Sequence, residues 1–268
     1  MSKLLVKAHQ PDSSGRTLCI TPQSAGWKYI GFETFTLNAH QKLDLSEQDK
    51  EMCLVILSGK IALIADDKNF GIVGDRESLF DGKRPYALYA PPGTILHIEA
   101  KGEVELAFCT APKADQHPPL RLITPDEVGM ETRGQGTNTR IIHNILPDSA
   151  PAGRLLVVEV YTPGGHWSSY PPHKHDRDEP PQETQLEETY YHRLNPKQGF
   201  AFQRVYTDDR SIDETMSVEN GDVVMVPRGY HPVGAPHGYD LYYLNVMAGP
   251  VRKWIFKNDP AHEWIVKK

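Results

Sequence analysis

EMCLVILSGKIAL, residues 51–63, decides how the chain is read. A short apolar run, MCLVIL, stops at Ser-Gly-Lys, and a second apolar run begins at once. No stripe of period 3.6 is present, and the run is too short for a buried helix. Apolar runs of this length beside a glycine turn read as buried strands. The same texture recurs in YALYA (86–90), ILHIEA (95–100), VELAFCTA (104–111), TRIIHNIL (139–146), RLLVVEVYT (154–162), ETYYHRL (188–194), GFAFQRVYT (199–207), DVVMVP (222–227) and DLYYLNVMAG (240–249). Pro (22) and Gly (21) punctuate the intervals. PDEVGME (125–131) offers at most a short turn. The expected class is all-β, a sandwich or barrel.

The strands also repeat in order. EMCLVILSGKIAL, YALYAPPGTILHIEA and VELAFCTAP in one half answer to EETYYHRLNPKQGFAF, DVVMVPRGYHPVG and YDLYYLNVMAG in the other. Each set enters a strand from Glu, turns at Gly, passes a Pro-x-Gly corner near a His and closes with a strand. Such order points to duplication of one β module. The expected division is 1–120 and 121–268, with the join inside the Pro-rich, polar segment 113–129. A single long sandwich is the alternative.

Composition narrows the function classes. The chain has 268 residues, 39% hydrophobic and 24% charged, as expected of a globular protein. Net charge is -6 with no Lys/Arg block, so no nucleic-acid partner is expected. No apolar run approaches a membrane span, and no leader segment is evident at the N-terminus. Three scattered cysteines, Cys19, Cys53 and Cys109, fit small buried side chains in a reducing cytoplasm.

PPHKHD (171–176) carries the chemistry. His173 and His175 alternate, so in a strand both imidazoles share a face and Lys174 points away. Downstream come Glu187 and Glu188, then His231 just past the corner VPRGYHPVG. Imidazoles with a carboxylate suit zinc first, then manganese, iron, cobalt or nickel. Strand parity does not choose between the two acids. In the first half only Glu51, His40 and His97 are available, with no His-x-His pair, so that half is expected to be structural and metal-free.

The order His-x-His, Glu, Gly, Pro-x-Gly, His resembles the cupin superfamily, which implies two tandem jelly-roll-like barrels and a metal held by His173, His175, Glu188 and His231. Twelve residues (176–187) separate His175 from Glu188 here, an insertion relative to the family pattern. More narrowly, GWKYIGFE, WSSYPPHKHD, LEETYYHR, FAFQRVYTDDRSIDE and VPRGYHPVGAPHGYDLYYLNVMAG resemble the 5-deoxy-glucuronate isomerase family of inositol catabolism. The related branch isomerises 4-deoxy-5-threo-hexosulose uronate. The resemblance implies an aldose–ketose isomerase taking a small sugar acid. Glu188 and Tyr190 are the expected catalytic residues, Tyr190 as a candidate base. Glu187 and His192 are further candidate bases. Arg204 and Arg228 are candidate forks for the substrate carboxylate, since guanidinium matches carboxylate geometry. The charged HDRDEP segment reads as a solvated loop that could cover the site. A metal-dependent dioxygenase and a non-catalytic sugar-binding barrel are the competing classes, and a homo-oligomer is compatible with exposed strand edges.

Overall fold

The computed structural model describes residues 2–266. The chain divides into two compact units. One comprises Ala8–Gly129 and Ile145–Leu156; the other comprises Met1–Lys7, Met130–Asn144 and Val157–Lys268. The expected boundary after residue 120 would assign Met1–Lys7 to the first half and 121–129 and 145–156 to the second; the compact units distribute these segments the other way. The N-terminal exchange has a visible cause. Leu5 and Val6 pair antiparallel with Val224 and Val223, and Lys7 Nζ reaches Asp222 at 2.7 Å and Glu219 at 2.9 Å.

The first unit packs a six-stranded sheet and a four-stranded sheet around one core. The opening stretch becomes strands Lys50–Ser58 and Ile61–Ala65. Period-two alternation sends Met52, Leu54 and Ile56 inward to meet Leu96, Ile98, Leu106 and Phe108. Each of the apolar runs read from the sequence contains a strand. The sequence reading missed Arg16–Ile20, Gly31–Leu37, Lys42–Ser46, Lys68–Val73 and Asp213–Glu219. Lys42–Ser46, Lys68–Val73 and Asp213–Glu219 carry exposed polar faces, so pairing rather than hydrophobicity defines them. Cys53 and Cys109 are buried as expected, whereas Cys19 is exposed.

Glu51 is fully buried in this unit. Its carboxylate accepts hydrogen bonds from Tyr89 Oη (2.7 Å), Gly153 N (2.7 Å), Leu155 N (2.6 Å) and Arg154 N. Residue 153 must be glycine for this approach, because a Cβ there would stand 2.6 Å from Glu51 Oε2. His97 is exposed and bonds Asp44 at 2.8 Å.

The second unit holds a seven-stranded sheet, with Glu187–Asn195 between Val223–Val226 and Asp240–Ala248. A four-stranded sheet carries Phe200–Tyr206 and Val233–Gly234. His173–Lys174 pairs with Lys257–Asn258 as a two-stranded ribbon, which brings the C-terminal segment beside the His-x-His motif.

Candidate metal centre

Three elements of the second unit deliver one cluster. Glu188 enters the strand Glu187–Asn195, paired with Val226 on one side and Met247 on the other. His175 lies against that entry through two bonds: Leu186 N donates to His175 O at 3.0 Å, and His175 Nδ1–H donates to Leu186 O at 2.9 Å. The insertion 176–187 therefore loops out and returns, so Glu188 meets His175 despite their separation in sequence. The loop is not a free lid: Thr184 is buried and its Oγ1 donates to Lys253 O at 2.6 Å.

His231 arrives through its corner. Gly229 sits at φ 99°, and a Cβ there would meet Tyr206 O at 2.6 Å. Gly229 N donates to Asp176 Oδ1 at 2.6 Å, while its carbonyl accepts His231 Nδ1–H at 2.7 Å.

The ligand atoms of His175, Glu188 and His231 all lie within 4.8 Å of one another, and all three residues are buried. Among the described residues this is the group whose geometry can hold a metal ion. A carbonyl only accepts, so both imidazoles carry their proton on Nδ1 and turn the Nε2 lone pair inward. His175 Nε2 is 2.9 Å and His231 Nε2 is 3.2 Å from the same oxygen, Glu188 Oε2, and His231 Nε2 makes no hydrogen bond. Two lone pairs and a carboxylate oxygen facing one another call for a cation, and fixing Nδ1–H on a carbonyl is how metal-binding imidazoles are oriented.

His173 stands next to this trio but its ligand atoms fall outside that span. Its ring lies 4.8 Å from that of His231, 6.4 Å from that of His175 and 4.6 Å from Phe256. Burial above all keeps it a neutral imidazole. Glu188 rather than Glu187 joins the cluster, since alternation turns Glu187 to the opposite face.

A cavity of about 620 Å³ opens beside the cluster, within the usual size of small-molecule sites. His173, Tyr190, Ser169, Tyr243, Arg140 and Trp254 line it. Tyr190 Oη shares a hydrogen bond of 2.8 Å with Ser169 Oγ. Burial first, then Glu188 and Tyr243, raise the Tyr190 phenol well above its ordinary range, so it is a proton donor and not a base. His192 does not line the cavity; its Nε2 bonds Gln203 Oε1 at 2.8 Å, and burial lowers it to about 4.

The two candidate carboxylate forks are displaced from the cavity. In Phe200–Tyr206 Arg204 shares the face of the exposed Phe200 and Phe202; its half-exposed side chain clasps Asp213 at 2.8 and 2.9 Å. Arg228 is exposed and bonds Ser211 Oγ at 3.0 Å. The cavity arginines are Arg140 and Arg133, which the sequence reading passed over. The signal available was parity, since Arg140 and Ile142 share one face of a strand. Lys174 turns away from the trio as expected, yet it is buried rather than solvated, paired with Asp208 and 3.9 Å from Asp176.

The KduI/IolB family model matches residues 4–265. The chain belongs to the KduI/IolB family. Among its relatives in that family, the 5-deoxy-glucuronate isomerase of Geobacillus kaustophilus is 54% identical over 267 residues, covering 100% of this chain and 96% of that protein. An IolB-like protein from Salmonella typhimurium LT2 superposes with a TM-score of 0.95 at 51% identity, covering 99% and 100% of the two chains. Oxalate decarboxylase of Lactobacillus farciminis, at 12% identity and TM-score 0.67, covers 100% of this chain and 91% of its own. That likeness shows the fold, the two-barrel cupin arrangement. No helix among the described residues is long and apolar enough to cross a membrane.

Proposed function

We propose that this KduI/IolB member is a metal-dependent aldose–ketose isomerase converting 5-deoxy-D-glucuronate to 5-dehydro-2-deoxy-D-gluconate in cytoplasmic inositol catabolism. The observation that carries the reading is the inward-facing trio His175, Glu188 and His231 beside a cavity lined by a neutral phenol. Relatives near 50% identity over the full chain bear the isomerase name, which supports the substrate. The trio would hold a divalent ion, with His173 adjacent as the expected fourth ligand; zinc is our assignment, and the same donors accept manganese, iron, cobalt or nickel.

When bound, such an ion supplies Lewis-acid polarisation of the substrate carbonyl and its neighbouring hydroxyl. The chain's residues supply the rest. His175 and His231 are fixed by backbone carbonyls, so the donor set is preorganised. Phe256 packs on the His173 ring, with 4.6 Å between centroids, and orients that wall. Tyr190 Oη, oriented by Ser169, donates a hydrogen bond to a substrate oxygen where negative charge develops.

Tyr190→Phe is expected to lower kcat by about 100-fold while metal content stays unchanged, because one positioned proton donor is lost. Steady-state kinetics with elemental analysis checks this; an unchanged kcat would remove Tyr190 from the chemistry. The function itself is tested by incubating the metal-loaded protein with 5-deoxy-glucuronate without oxygen and following the aldehyde and ketone by NMR. Conversion is expected; no turnover with metal bound sinks the isomerase reading. In deuterated water, label at the product's former aldehyde carbon marks proton transfer, and its absence marks a hydride shift.

A further inference from the structure

We propose that Arg140 is the carboxylate anchor of this cavity, the residue that selects an acid-terminated aldose and sets which end of it faces Glu188. The inference rests on the isomerase reading for the identity of the substrate, but the anion site follows from the geometry of the second unit alone.

Arg140 opens the strand Arg140–Leu146, and Arg140 and Ile142 both line the cavity. Only Nη1 is engaged, donating to Asn138 O at 3.0 Å. Among the described residues no carboxylate stands within ion-pair distance of it. A half-buried guanidinium without a counter-ion is costly: burial, its largest influence, pulls Arg140 below its ordinary range. It nevertheless stays charged at any physiological pH. The other candidate arginines of this unit are matched or lie away from the cavity. Arg204 has Asp213, Arg228 is exposed outside the cavity on Ser211 Oγ, and the second cavity arginine, Arg133, has Glu131 Oε1 at 2.7 Å and lies 5.4 Å from the Trp254 ring. Arg140 is thus a cation presenting spare, planar donors into a cavity, the arrangement that recognises a carboxylate through two parallel hydrogen bonds.

His173 and Tyr190 form the wall next to the metal-binding trio, their rings 4.8 and 5.6 Å from that of His231. A six-carbon aldose acid held at Arg140 by its carboxylate presents its aldehyde end toward that wall. A neutral aldose has no group for Arg140, and its binding leaves the buried guanidinium unpaired, which penalises it further. A phosphate-terminated aldose shares the anionic chemistry, but it carries up to two charges where one unpaired arginine is offered.

The test uses the metal-loaded full chain, Arg140→Met and Arg140→Lys. Against 5-deoxy-glucuronate, Arg140→Met is expected to raise KM about 10–100-fold with a smaller fall in kcat and unchanged metal content. Arg140→Lys recovers part of the loss, as a point charge without the fork. A neutral aldose and an aldose phosphate of equal chain length serve as comparison substrates. The wild type's preference for the acid over the neutral aldose is expected to collapse in Arg140→Met; a variant that slows both equally would assign Arg140 a merely structural role and overturn the proposal. Preference for the phosphate over the carboxylate would likewise overturn it. D-gluconate, an acid that cannot be isomerised in this way, separates the two inferences. Its binding by calorimetry is expected to weaken at least 10-fold in Arg140→Met. Gluconate binding that depends on Arg140, without turnover of any aldose, upholds the anchor and sinks the isomerase reading. Turnover of 5-deoxy-glucuronate unaffected by Arg140→Met does the reverse.

Discussion

Glu188→Gln is expected to yield a folded protein without metal and at least about 1,000-fold less active, since a Lewis acid contributes several kcal/mol to such a reaction. The variant should fold because the amide is nearly isosteric and can donate to the two Nε2 lone pairs, at His175 and His231, that now face Glu188 Oε2. It should not bind metal, because Glu188 is the only anion in the trio and the amide nitrogen is no ligand. The unfolding temperature adds an independent readout. An ion that binds only the native state at 100 times its Kd stabilises by about 2.7 kcal/mol, so chelation should lower the wild-type Tm and leave the variant's unchanged. A variant retaining one ion per chain at wild-type affinity would take Glu188 out of the ligand set.

Glu51→Ala is expected to have its large effect on stability alone, about 3–5 kcal/mol, enough to remove much of a domain's margin. The substitution leaves the Tyr89 hydroxyl and the backbone N–H groups of Gly153, Arg154 and Leu155 without their buried acceptor. Urea unfolding at matched pH measures it; a loss under about 1 kcal/mol would show that water replaces the carboxylate at little cost. Metal content in the native variant should be unchanged, since Glu51 belongs to the other unit from the trio.

These two glutamates show how far the linear reading reaches. EMCLVIL and EETYYHRL look alike: an acid at the mouth of a β run. The strands themselves were legible because burial on a sheet face imposes period two and glycine marks the turns. Strands with polar faces, such as Asp213–Glu219, were not, because their hydrogen bonds to a neighbour leave no hydrophobic trace. The two candidate forks failed for a related reason. Residue type named Arg204 and Arg228 as anion binders, but both sit at the surface, and Asp213 already occupies Arg204.

The sequence by itself determined the β architecture, its internal duplication and the histidine motif of the second half. Those follow from local patterns: apolar alternation, turn residues and the spacing of like side chains. Only the tertiary structure decided how each acid is used. The loop 176–187 returns to lay Leu186 against His175, so Glu188 faces two imidazole lone pairs, whereas Glu51 faces three backbone N–H groups and a phenol. The same carboxylate becomes a ligand among acceptors and a structural clamp among donors. What surrounds it is set by contacts between residues distant in the chain, which no local pattern encodes.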